Sequence, residues 1–100
     1  MRRVLSVLSL LLLLFGCAVA PVQEMSDARQ AIQAAREAGA AIRSPQVLEE
    51  AERLLDAAER SLEVGDYSRA RELAVAAHRK AIEARERAGY GDESAPPDTL

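Results

Sequence analysis

Two spacings of apolar residues divide this chain. Residues 4–15 are apolar apart from Ser6 and Ser9. That run of roughly a dozen has no polar face and falls short of the ~20 residues a bilayer span needs. From residue 23 the apolar and small positions recur in steps of three and four, the period of a helix with one buried face. Met25, Ala28, Ile32, Ala35, Gly39 and Ile42 form the first such stripe, on a helix expected over 23–43. Leu48, Ala51, Leu55, Ala58 and Leu62, widened by Val47 and Leu54, form the second, over 45–64. Tyr67, Ala70, Ala74, Ala77, Ala81, Ala84 and Ala88 form the third, over 67–88.

Stop and start signals fall between the stripes. Pro21 precedes the first helix. Ser44-Pro45 offers an N-cap followed by the residue best suited to the first helical position. Gly65-Asp66 closes one helix and caps the next. Gly89-Tyr90-Gly91 is expected to end the third helix, leaving an acidic, disordered tail over 89–100 with Pro96-Pro97. Gly39 lies on the first stripe itself, where it allows close helix approach or weakens the last turn. Glu49–Arg53, Asp56–Arg60 and Glu83–Arg87 are i,i+4 pairs in the favourable order, worth a few tenths of a kcal/mol each at roughly that spacing. Three helices of about 30 Å joined by short turns give an all-α fold, a three-helix up-down-up antiparallel bundle. Alanine stripes let helices approach closely but bury little carbon, so the domain is marginal alone and gains from a partner or a second copy.

Composition narrows the chemistry. The chain has 100 residues, a net charge of −3 and 3% aromatic residues. Without residues 1–16 it loses Arg2 and Arg3 and no acid, so 13 bases become 11 against 16 acids, a charge of about −5. With no basic stripe and no stacking platform, nucleic acid is excluded as a partner. One cysteine permits neither an internal disulfide nor a cysteine-based zinc site. The lone histidine, His78, has no second histidine to share a metal and reads as a surface or boundary residue. The acids around Glu49, Glu50 and Glu52 read as a solvated helix face. No nucleophile–base pair or glycine-rich phosphate loop is present. The chain is therefore expected to be no enzyme and to take no cofactor, metal or small-molecule substrate.

The apolar run reads as a leader. Met1-Arg2-Arg3 supplies the positive start and residues 4–15 the hydrophobic stretch of a signal peptide. Ala18-Val19-Ala20 is a small-x-small cleavage triplet, but Pro21 would follow the scissile bond, a poor position for a residue without an N–H. Leu14-Phe15-Gly16-Cys17 is the alternative: an aliphatic residue, a variable one, a small one and then the cysteine. Here the chain resembles bacterial lipoprotein precursors. That resemblance implies cleavage before Cys17, a thioether-linked diacylglycerol on its sulfur and a third acyl chain on its amine. Several chains on one residue would hold the protein firmly. Ala18, which is not the aspartate of inner-membrane retention, implies the periplasmic face of the outer membrane. The alternative for Cys17 is a buried free thiol in an apolar helix. The resulting layout is a signal peptide over 1–16, a lipidated tether over 17–22, the helical bundle over 23–88 and the tail over 89–100.

Gly65-Asp66-Tyr67-Ser68-Arg69-Ala70, with Ala74 and Ala77, resembles the turn and second helix of a tetratricopeptide repeat, over about half a repeat. The resemblance implies Tyr67 as an inter-helix wedge; too few repeats follow for a concave groove. The Cys17 motif, Glu24-Met25-Ser26-Asp27-Ala28-Arg29, Ser44-Pro45 and Gly65-Asp66-Tyr67 with Ala70 together resemble a family of short bacterial lipoproteins with an α-helical domain of unknown function. That resemblance implies an envelope protein of helical hairpins and brings no catalytic residues. Val75 and Ile82 stand seven apart and away from the alanine stripe. They either pack against a second neighbouring helix or form an apolar strip for a partner helix. The expected function is a membrane-anchored lipoprotein that holds or recruits another envelope protein. The alternative is a structural, self-associating envelope component.

Overall fold

The structure, a computed structural model, describes residues 1–15 and 20–93. All regular structure among them is α-helical: α1 Arg2–Phe15, α2 Val22–Glu37, α3 Ala40–Arg43, α4 Pro45–Glu63 and α5 Tyr67–Glu93. The 14 residues of α1 reach about 21 Å, and Met1, Val4, Leu5, Val7 and Leu8 along it are exposed. Among the described residues no helix is long and apolar enough to cross a membrane. Gly16 and Cys17 lie outside the described residues, so the expected lipidation site has no structural account.

The first expected helix is two. Along α2 the expected stripe is buried at Met25, Ala28, Ile32 and Ala35. At Gly39 the backbone turns left-handed, with φ +89°, a conformation that costs a side chain with a Cβ about 1–2 kcal/mol. The Ala38 N–H still reaches the Ala34 carbonyl at 3.0 Å, and the Gly39 N–H tightens onto Arg36 at 3.0 Å. After this turn the helical phase resets in α3. Ala40 is buried and Ile42, expected on the stripe, is 87% exposed.

Ser44 precedes Pro45 as expected, but its hydroxyl does not cap α4. It donates instead to the Ala84 carbonyl in the middle of α5, at 2.6 Å. One residue earlier, Arg43 donates to the Ala88 carbonyl at 3.3 Å. Leu48, Ala51 and Ala58 are the buried positions of α4. The turn after it is local. Gly65 has φ +79°, the Asp66 N–H bonds to the Ser61 carbonyl at 2.9 Å and the Gly65 N–H to Leu62 at 3.1 Å, which closes the helix end in the Schellman manner. The Asp66 carboxylate accepts the Arg69 N–H at 3.2 Å and so caps α5.

Ala70, Ala74, Ala77, Ala81, Ala84 and Ala88 are all fully buried, and α5 packs on both α2 and α4. The expected stop at Gly89 does not occur. The helix runs through Gly89 and Gly91 to Glu93, because glycine ends a helix where it turns left-handed, and Gly89 does not. The tail expected from 89 thus begins as helix, and residues 94–100 lie outside the described ones. Tyr67 fills no buried slot: it is 40% exposed, since α5 starts at the rim of the fold, beyond its first buried alanine.

The core has two clusters. Ile32, Ala35, Ala40, Leu48, Ala51, Ala81, Ala84 and Ala88 make one; Met25, Ala58 and Ala74 make the other, with Leu55 packed against both. Ion pairs trace the seams. Arg29 meets Glu59 at 3.2 Å and Arg36 meets Glu52 at 3.0 Å, so residue numbers fall along α4 as they rise along α2. Across the other seams, Arg71 meets Glu24 at 3.4 Å and Lys80 meets Glu50 at 3.7 Å. Exposed pairs of this kind add little stability.

Candidate functional site

The flank of α5 that faces α2 carries the residues singled out in the sequence. Because alanine fills the buried stripe, the flanking side chains stand above a shallow seam rather than meeting across it. Val75 is half-buried there. His78 and Ile82, one and two turns on, line an open groove of about 540 Å³ with Arg85, opposite Asp27, Gln30, Ala31 and Ala34 of α2. Ile82 is 42% exposed, and the small side chains of Ala31 and Ala34 face the groove across from it. The result is an apolar middle with Asp27 and Gln30 on one wall and Arg85 on the other. The Arg71–Glu24 ion pair spans the same seam nearer the start of α5.

The structure therefore brings Ile82 and His78 to one groove and leaves Val75 beside it, partly covered. Sequence reasoning missed the α2 wall. Ala31 and Ala34 lie next to the buried stripe of α2, a position that becomes a groove lining only once α5 is packed beside them. The available signal was the run of small residues flanking Ile32 and Ala35.

The α2–α4 seam is different. Its groove of about 390 Å³, lined by Arg29, Ile32, Gln33, Arg36, Glu52, Leu55 and Asp56, is bordered by the two α2–α4 ion pairs, so its arginines and Glu52 are already engaged. On the α4 side of α5, Lys80 lies 3.1 Å from Glu83 and Glu83 lies 2.7 Å from Arg87. The hydrogen bond to Glu83, with the charges of Glu50 and Glu83, holds the Lys80 ammonium above its ordinary range. The same hydrogen bond holds the Glu83 carboxyl below its own, against some desolvation. These shifts belong to an ion-pair network with no reacting partner in reach. Among the described residues no group of three His, Cys, Asp or Glu could hold a metal ion, and no buried side-chain polar atom lacks a hydrogen bond.

Residues 23–95 match the family model described as Domain of unknown function (DUF4398). The match opens one residue into α2 and excludes the leader and Cys17. No curated protein and no solved structure matches the chain. With nearly three-quarters of its length covered, the chain is a member of the DUF4398 family.

Proposed function

As a reading of this DUF4398 domain, we propose a non-catalytic, membrane-anchored lipoprotein of the bacterial envelope whose helical domain binds another protein. Leu14-Phe15-Gly16-Cys17 supports the anchor, with the apolar α1 ahead of it as the leader. In this reading Cys17 carries the lipid, and the domain sits on the periplasmic face of the outer membrane. The scaffold is a three-helix up-down-up bundle of α2, α4 and α5. The opposed numbering of Arg29–Glu59 and Arg36–Glu52 supports that arrangement, as do Glu24 paired to Arg71 and, further along both helices, residues 27–34 lining one groove with residues 78–85. The observation that carries the interaction role is Ile82, an exposed aliphatic side chain in a groove whose opposite wall sets Ala31 and Ala34 beside the polar Asp27 and Gln30. A groove with one large apolar residue and small ones facing it accepts a helix or an extended segment bearing its own apolar anchor.

Two experiments test this. Cys17→Ala in cells labelled with radioactive palmitate should lose the label; a variant that keeps it would sink the anchor. Photo-crosslinking from positions 75 and 82 should capture a discrete envelope protein, more strongly from 82, because Val75 is partly covered. Adducts only with further copies of this chain would turn the reading to a self-associating envelope component.

A further inference from the structure

Of the five large apolar side chains exposed within residues 20–89, three lie at one end of the fold, with Ile42 at the other end and Ile82 in the groove. Val22 opens α2 and is 68% exposed; Val64 ends α4 and is 81% exposed; Tyr67 opens α5. Val64 and Tyr67 flank the Gly65-Asp66 turn. Glu24, two residues past Val22, is ion-paired to Arg71, four past Tyr67, which brings the start of α2 to the same end. Among the described residues none buries Val22 or Val64, Tyr67 is partly covered, and neither core cluster includes any of the three.

Along the chain this is also the end that follows Cys17. Val22 follows the cysteine by five residues, a reach of at most ~18 Å for a fully extended chain. The opposite end, at Gly39 to Ser44, lies about 30 Å further along α5. We infer that Val22, Val64 and Tyr67 form an apolar tip that rests in the interfacial layer of the membrane holding the Cys17 lipid. The inference rests on the anchoring proposed above. A tyrosine suits that layer because its ring is apolar and its hydroxyl stays wet. Glu63 and Asp66, both exposed beside the tip, oppose deeper entry and limit contact to the headgroup level. A tip held at the surface by two valines and a tyrosine would stand the helices upright and carry the Ile82 groove clear of the membrane.

The test uses the full, lipidated chain, which has no tryptophan of its own. Val64→Trp, Tyr67→Trp and, at the far end, Ile42→Trp are each reconstituted into phosphatidylethanolamine-rich vesicles whose acyl chains are brominated near the headgroup. Tryptophan emission at 64 and 67 should be blue-shifted and largely quenched, and emission at 42 should match that in unbrominated vesicles. Protein that floats with the vesicles but is unquenched at 64 and 67 would overturn the tip and leave the anchor standing. Equal quenching at all three positions would also overturn it, because the domain would then lie flat. Absence of the lipid on Cys17 by mass spectrometry would remove the anchor and the tip together. A photo-crosslinker at 64 that captures one protein in cells, and no lipid, would make the tip a protein contact instead.

Discussion

The two ends of the helical domain are closed by different means. Within the Gly65-Asp66 turn itself every hydrogen bond described is local: backbone to backbone across the turn, and the Asp66 carboxylate to a backbone N–H three residues on; the bond that crosses the fold near this end, Arg71 to Glu24, starts one turn inside α5. At the Gly39–Ser44 end the bonds cross the fold. Ser44 and Arg43 both donate to carbonyls of α5, some 40 residues away in sequence. Each end contains one left-handed glycine, so backbone conformation does not separate them. The difference is that one corner is fastened to a neighbour while the other is complete in itself and free to present Val64 and Tyr67 outward. A turn that satisfies its own backbone leaves its side chains available for an external surface.

The sharpest way to break this contrast is to overfill the fastened corner. Ala84→Leu puts a large side chain beside Ser44 in a fully buried position and should cost about 3 kcal/mol. Ala70→Leu, equally buried but next to the self-contained turn, should cost nearer 1 kcal/mol because its surroundings can move. Urea unfolding of the full chain in detergent, followed by circular dichroism, measures both; equal losses would abolish the distinction. Ser44→Ala and Asp66→Ala form a finer pair, each expected to cost about 1 kcal/mol. Hydrogen exchange should separate them. Loss of Ser44 should accelerate amides on both sides of its bond, in α3 and around Ala84, whereas loss of Asp66 should affect only the first turn of α5. Faster exchange confined to the start of α4 in Ser44→Ala would mean that the hydroxyl serves as a cap after all.

The smallest effect concerns the middle of α5, between the two ends. Glu83 is held below its ordinary 4.5 and Lys80 above its ordinary 10.5. The Glu83 contribution is complete above pH 4.5 and is lost as pH falls through the lowered value. The Lys80 contribution is complete below pH 10.5 and is lost as pH rises through the raised one. Lys80→Met should therefore lower the melting temperature slightly and evenly between those limits, with the gap to the parent closing outside them and shrinking in high salt. A gap that widens at low pH would contradict the pairing.

Much of the architecture is legible in the spacing of small residues. The stripe of α5 is buried at every alanine expected, and Pro45 and Tyr67 open their helices where the signals stand. What escaped depends on contacts distant in sequence or on a single dihedral angle. Gly39 sits in phase with its stripe, so periodicity alone reads through it; only its positive φ ends α2 and turns Ile42 outward. Ser44 has the local signature of a cap, and nothing nearby reveals that a carbonyl 40 residues on takes its hydroxyl. Gly89 has the signature of a stop, yet a glycine in helical conformation costs only about 1 kcal/mol. Of the candidate site, Ile82 was visible as an apolar residue off the stripe. Its partner wall was not, because Ala31 and Ala34 acquire meaning only from the helix beside them.

The alanine face of α5 has a consequence for register. Ala70, Ala77 and Ala84 repeat every seven residues, and so do Ala74, Ala81 and Ala88. Sliding α5 by two turns, about 10.5 Å, lays most of this face onto itself. A seam of identical methyl groups holds its neighbours close but tells them little about lengthwise position, as a smooth rail guides a carriage without stopping it. The main stops are the Ser44 hydroxyl on the Ala84 carbonyl and Arg43 on that of Ala88, with the exposed pairs of Glu24 with Arg71 and Glu50 with Lys80 adding less. In this fold the methyl groups set how near the helices lie, and a few polar atoms set where along one another they come to rest.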